Sequence, residues 1–161
     1  MALSVFYGAD VIDVLKWYCD AFELEDFYDN GEIIVVLDAA MVLNGIKRST
    51  ESIDIACSDR VWDYINDRYS GVIEPTDPTD KAVNGRRIMR ISAGHYINII
   101  PMEHKSFMSA PVSRLMYGQY IQTPSSLFKE NILRGNEENV ELIGGYIDCR
   151  LHRIYELYNK L

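Results

Sequence analysis

Apolar residues along this chain recur with two periods, and the switches between them outline its elements. From Ala9 to Leu24, Val11, Ile12, Leu15, Tyr18, Cys19 and Phe22 return at helical spacing, which predicts an amphipathic helix laid on a sheet. Asp29-Asn30-Gly31 then signals a turn. The run Ile33-Ile34-Val35-Val36-Leu37 is too short for a free-standing helix and rich in β-branched residues, so it predicts a buried strand. Asp38-Ala39-Ala40 predicts a small-residue turn, Met41-Val42-Leu43 a short packed helix, and Asn44-Gly45 its end. A second strand, Ser52 to Ala56, alternates polar and apolar: Ser52 and Asp54 share one face, Ile53 and Ile55 the other.

Helical spacing resumes after Cys57. Ser58 or Asp59 caps a predicted helix running to about Tyr69, with Val61, Trp62, Ile65 and Tyr69 on one side and Ser70-Gly71 as its stop. Glu74 to Gly85, with two prolines and three acids, reads as a surface loop, either a mobile one beside a site or a plain connection. Arg87 to Ser92 and Tyr96 to Met102, joined at Ala93-Gly94, predict a hairpin. Thr123-Pro124 supplies a hydroxyl N-cap followed by proline, and Arg134-Gly135 ends the helix so begun. Glu137 to Leu161 predicts a long closing helix whose buried stripe is Val140, Ile143, Ile147, Leu151, Ile154, Leu157 and Tyr158. Gly144-Gly145 within it predicts a kink or a close helix contact.

Composition narrows the function classes. A length of 161 residues fits one domain, and 48% hydrophobic with 25% charged residues is ordinary for a globular chain. No stretch is long and apolar enough for a membrane span, and the N-terminus lacks the basic and apolar regions of a secretory signal. Cytoplasm is the expected compartment, and Cys19, Cys57 and Cys149, without metal-type spacing, read as reduced core residues. His95, His104 and His152 are scattered and predict no zinc site. A net charge of −8 disfavours broad nucleic-acid binding, leaving Lys47-Arg48 and Arg86-Arg87 as the local basic candidates. No Gly-x-Ser-x-Gly elbow, Walker loop or Gly-x-Gly-x-x-Gly fingerprint is present.

The segment Arg48-Ser49-Thr50-Glu51-Ser52-Ile53-Asp54 aligns without a gap to an Arg-x-Thr-x-Asp-Ile-Asp strand, preceded here by a strand, a turn and a short helix. In this the chain resembles the nucleotidyltransferase superfamily, particularly its small toxin-like and phage-resistance branch. Tyr96-Ile97-Asn98-Ile99-Ile100 resembles the later strand that supplies a third carboxylate there, and Thr123-Pro124-Ser125-Ser126-Leu127-Phe128-Lys129, followed by Arg134 and the acids Glu137, Glu138 and Glu141, resembles the segment after the sheet. The resemblance implies an α+β fold: one domain over 1–161, a mixed sheet flanked by helices roughly from 32 to 102, and C-terminal helices roughly from 123 to 161. It also implies a site on Arg48, Thr50, Ser52, Asn98, Lys129 and Arg134, with Asp54 as magnesium ligand.

The departures from that pattern fall on the chemistry. Asp38-Ala39 replaces the glycine pair, Ser52 the first aspartate, and Asn98 the third carboxylate. Metal-assisted phosphoryl or nucleotidyl transfer needs several carboxylate oxygens on rigid strands, and Asp54 alone holds magnesium weakly. Asp38 is the candidate second acid, and Glu51 joins only if the strand bulges, because regular alternation points it away from Asp54. Three readings stay open. The first is a degenerate member, needing no cofactor, that binds a protein, nucleotide or nucleic acid, in the phage or host-defence setting the family implies. The second is an active enzyme moving a nucleotide from NTP to RNA or protein with magnesium on Asp54 and Asp38. The third is an interaction protein unrelated to nucleotides, in which Asp54 is a strand acid and Lys129 and Arg134 are surface cations.

Overall fold

The computed structural model describes residues 5–74, 89–91, 97–101 and 113–160. Its centre is a seven-stranded mixed sheet. In chain order the strands are β1 (Phe6–Tyr7), β2 (Ile33–Val36), β3 (Ser49–Thr50), β4 (Ile53–Cys57), β5 (Ile73–Glu74), β6 (Met89–Ile91), β7 (Ile97–Pro101), β8 (Ser113–Met116) and β9 (Gln119–Gln122). The helices are α1 (Gly8–Ala21), α2 (Glu25–Asp29), α3 (Leu37–Leu43), α4 (Asp59–Tyr69), α5 (Pro124–Arg134) and α6 (Glu137–Asn159). Across the sheet the order is β5-β6-β7-β4-β2-β9-β8, while β1 and β3 form a separate antiparallel pair. The β7–β4 and β2–β9 neighbours are parallel and the other neighbours antiparallel. The expected α+β class and mixed sheet are present.

Alternation decides which side of the sheet carries the core. On β2 and β4, Ile33, Val35, Ile53, Ile55 and Cys57 turn into the main cluster with Val11, Leu15 and Tyr18 of α1 and Val61 and Ile65 of α4. Ile34, Val36, Ala56 and Ile100 form a smaller apolar patch on the other face, with Leu37 and Tyr120 packed against it. β2 is therefore apolar on both sides, as a central strand between covered faces should be, whereas β4 carries Asp54 beside Ala56 on its second face. Arg60 stacks on Phe27 and pairs with Glu32, which ties α4 back to the entrance of β2.

Several expectations shift in detail. The strand β2 ends at Val36, and α3 begins directly at Leu37, which takes a left-handed φ of 56°. Asp38-Ala39-Ala40 is accordingly the first turn of α3 and no loop. The helix from Ala9 closes at Ala21, Glu23 takes φ 52°, and α2 follows. The hairpin partners are β6 and β7, antiparallel as expected, while Ala93-Gly94 and the stretch 75–85 lie outside the described residues. Ser58 caps α4, Thr123 caps α5, and Gly135 with φ 69° closes α5.

The largest correction is the closing helix. Among its expected buried stripe only Ile143 is buried. Val140 and Ile147 are half-buried, whereas Leu151, Ile154, Leu157 and Tyr158 face solvent. The physical reason is length, because α5, its main neighbour, spans 11 residues against 23 for α6. Gly144 makes a close contact within a continuous helix, where an added Cβ would meet the Phe128 ring at 3.6 Å. Cys149 is exposed on α6 and is no core residue; neither it nor Cys19 nor Cys57 forms a disulfide. Among the described residues no helix is long and apolar enough to cross a membrane.

Candidate functional site

Strand register places the site. Asp54 on β4 pairs with Val36 of β2 on one side and with Asn98 of parallel β7 on the other. Asn98 pairs in turn with Arg90 of β6, and Arg90 with Glu74 of β5. Direct register partners point to the same face of a sheet, so Glu74, Arg90, Asn98 and Asp54 form one polar row across four strands. It lies on the face opposite the main core, beside the small apolar patch of Val36, Ala56 and Ile100.

Hydrogen bonds run along this row. Asp54 Oδ1 accepts from Asn98 Nδ2 at 3.0 Å, and Asn98 Oδ1 accepts from Arg90 Nε at 3.0 Å. Asp54 Oδ2 accepts from Ser52 Oγ at 3.1 Å, as the shared face of Ser52 and Asp54 predicts. Thr50 Oγ1 donates to the Ser52 carbonyl at 2.8 Å and accepts from the Ser52 N–H at 3.3 Å. Thr50 is buried, so its role is to fold the β3–β4 junction and to aim Ser52. That local turn also moves Glu51. It precedes β4, so strand alternation does not govern it, and it lines one cleft with Asp38, Lys47, Ser49, Thr50 and Ser52.

Asp38 sits in the first turn of α3 and is held from two directions. Asn139 Nδ2 of α6 donates to its Oδ1 at 3.0 Å, and Lys47 Nζ lies 3.4 Å from Oδ2. Asn139 is buried and also donates to Asn131 Oδ1 of α5 at 3.1 Å. The cleft beside Asp38, about 320 Å³, is therefore walled by two acids and one lysine. Lys47, Arg90, Asn131 and Asn139 are absent from the sequence-derived site. Lys47 was legible as half of the Lys47-Arg48 basic pair, and Arg90 as the polar residue between Met89 and Ile91, but the partners of both need the fold.

Burial pushes the Asp54 carboxyl above the ordinary aspartate value; bonds from Asn98 and Ser52 pull it back, the Asp38 charge adds to the rise, and Arg134 lowers it. Asp38, Asp54 and Arg134 thus share one electrostatic neighbourhood although they come from α3, β4 and α5. Arg134 also pairs with Glu130 at 3.0 Å, the i,i+4 surface partner of ordinary helices, except that Glu130 is buried. Two predicted site residues stand apart. Arg48 is exposed with its guanidinium 6.0 Å from the Tyr7 ring centroid, and Lys129 is exposed on α5. Among the described residues, no group of three or more His, Cys, Asp or Glu side chains is placed to hold a metal ion.

A raised aspartate predicts a stability effect with a definite sign. The native state holds the Asp54 proton more tightly than the unfolded chain, so its contribution is present at acid pH and lost as pH rises through the native pKa. Asp54→Asn keeps both hydrogen bonds, its carbonyl accepting from Asn98 and its amide donating to Ser52. The variant should gain about 1 kcal/mol at neutral pH and lose that advantage near pH 4. Urea midpoints at the two pH values measure it, and a gain independent of pH would contradict this origin. The chain matches no family model, no curated protein and no solved structure.

Proposed function

We propose that this chain is a nucleotidyltransferase-like domain that has lost transfer chemistry and acts by binding, with the cleft between α3 and the β3–β4 junction as its recognition surface. One observation carries the reading. At the paired β4 and β7 positions, where a metal-dependent transferase needs carboxylates, a single acid stands between two neutral donors, Ser52 and Asn98. A hard divalent cation gains little from a hydroxyl and an amide compared with carboxylates. The start of α3 points the same way. Leu37 with φ 56° carries a side chain where a close phosphate approach favours glycine, and Asp38 adds negative charge at the helix start. The partner class is a protein, a nucleotide or a nucleic acid. A phage or host-defence setting follows from the resemblance alone.

The second reading, an active transferase using Asp54 with Asp38, is favoured by the charge of Asp38 reaching Asp54. Calorimetric titration of ATP and GTP, with and without magnesium, separates the two. The binding-domain reading expects no magnesium-dependent affinity and no change on Asp54→Ala. Magnesium-dependent binding abolished by Asp54→Ala would overturn it in favour of the transferase.

A further inference from the structure

The second half of α6 carries an apolar face that the rest of the described structure leaves uncovered. Leu151, Ile154, Tyr155, Leu157 and Tyr158 are 60%, 59%, 65%, 59% and 73% exposed. Single exposed apolar residues need no explanation, but a contiguous set on one helix does. Helix α6, at 1.5 Å per residue, is about 34 Å long against about 16 Å for α5, so it outruns its main neighbour by about half its length, and its residues from Asp148 to Lys160 are all exposed. The stripe is continuous across that boundary. Ile147 packs on the core, and Leu151, Ile154 and Tyr158 follow at steps of four, three and four residues. That is the alternation of a helix-pairing seam, with Tyr155 and Leu157 widening it.

We propose that this overhang is a homodimer interface, in which the α6 segment from Asp148 to Lys160 pairs with the same segment of a second copy. Charge selects the occupant. The whole chain carries −8, so two copies repel over most of their surface. Along the overhang the signs nearly balance, with Asp148 and Glu156 against Arg150, Arg153 and Lys160. Here, then, two acidic copies meet with least repulsion, and each offers both signs to the other. The opposite side of the segment is polar, with His152 paired to Glu156 at 3.3 Å, which keeps the seam on one face. Area agrees, since pairing the five exposed side chains of each copy removes on the order of 1,200 Å² from water, the lower edge for specific stable interfaces.

Sedimentation velocity on the full chain tests this, under reducing conditions so that exposed Cys149 cannot mimic association by oxidation. Dimer should appear within about 1 to 100 µM, and the double variant Leu151→Glu/Ile154→Glu should weaken it by at least about 100-fold. Both residues are exposed, so the far-ultraviolet circular dichroism of the variant should match the parent. Leu115→Glu, on the exposed part of β8, should leave the dimer intact. A parent chain monomeric throughout that range overturns the proposal. So does a dimer that survives the double substitution, or a monomer that binds phosphatidylserine vesicles through this face.

Discussion

Gln122→Leu should lower the stability of this fold by about 2–4 kcal/mol, although the two side chains are similar in size and the position is fully buried. The glutamine is the tie between the end of β9 and the turn that launches α3. Its Oε1 accepts the Leu37 N–H at 3.0 Å, its Nε2 donates to Ser126 Oγ at 2.9 Å, and its carbonyl accepts from Asn44 Nδ2 at 3.0 Å. Leu37 needs that support because a left-handed backbone costs a residue with a side chain about 1–2 kcal/mol, and its N–H, at the first position of α3, has no intrahelical acceptor. Leucine at 122 leaves that N–H and the Ser126 hydroxyl without their present partner. The urea midpoint should therefore fall by about 1–2 M. Gln119, three residues earlier on the same strand, provides the contrast. It is also buried, but its Oε1 has no hydrogen-bond partner among the described residues, so Gln119→Leu should cost less than about 1 kcal/mol. Equal losses at the two positions would show that burial, and not the tie to Leu37, sets the cost.

That pair also shows where reading the sequence stops. Elements with a strong local signature are legible: α1 and α4 from their apolar spacing, α5 from Thr123-Pro124 and Gly135, β2 from its β-branched run, and β4 from its polar–apolar alternation. Residues whose meaning depends on a distant partner are not. Gln122 reads as one polar residue at the end of a strand, and nothing nearby in sequence points to Leu37, 85 positions away. Asn139 is another, a polar residue near the start of α6 with no local signal, yet buried and bonded to Asp38, 101 positions away. The Leu37 turn hides for a different reason, since a bulky apolar residue at positive φ violates local preference and is held by tertiary bonds. The exposed half of α6 fails in the opposite direction. Its apolar stripe is real, but periodicity reports which residues share a face and says nothing about what covers it.

Within the candidate site, Ser52 beside Asp54 was legible from strand alternation, whereas Arg90 needed the β6–β7 register. The same register makes the site testable by restoring an acid. Asn98→Asp places a second carboxylate against Asp54, where the present amide donates at 3.0 Å. Two charges about 4 Å apart at an effective dielectric near 20 repel by about 4 kcal/mol. Arg90, 3.0 Å from the Asn98 oxygen, offsets part of that. A net loss of about 2–3 kcal/mol at neutral pH follows, a fall in Tm of roughly 5–10 °C for a chain of this size. Because like charges raise a shared carboxylate pKa further, the loss should shrink as pH falls into the carboxylate range and the pair holds a proton. Manganese, which favours oxygen ligands, should do the same at neutral pH, returning about 2.7 kcal/mol at a concentration 100 times its Kd. Asn98→Leu, which adds no charge, should recover with neither acid nor metal. If Mn²⁺ raises the Tm of Asn98→Asp no more than that of the parent, the β4–β7 pair has no latent metal geometry. The resemblance to a nucleotidyltransferase site would then rest on sequence spacing alone.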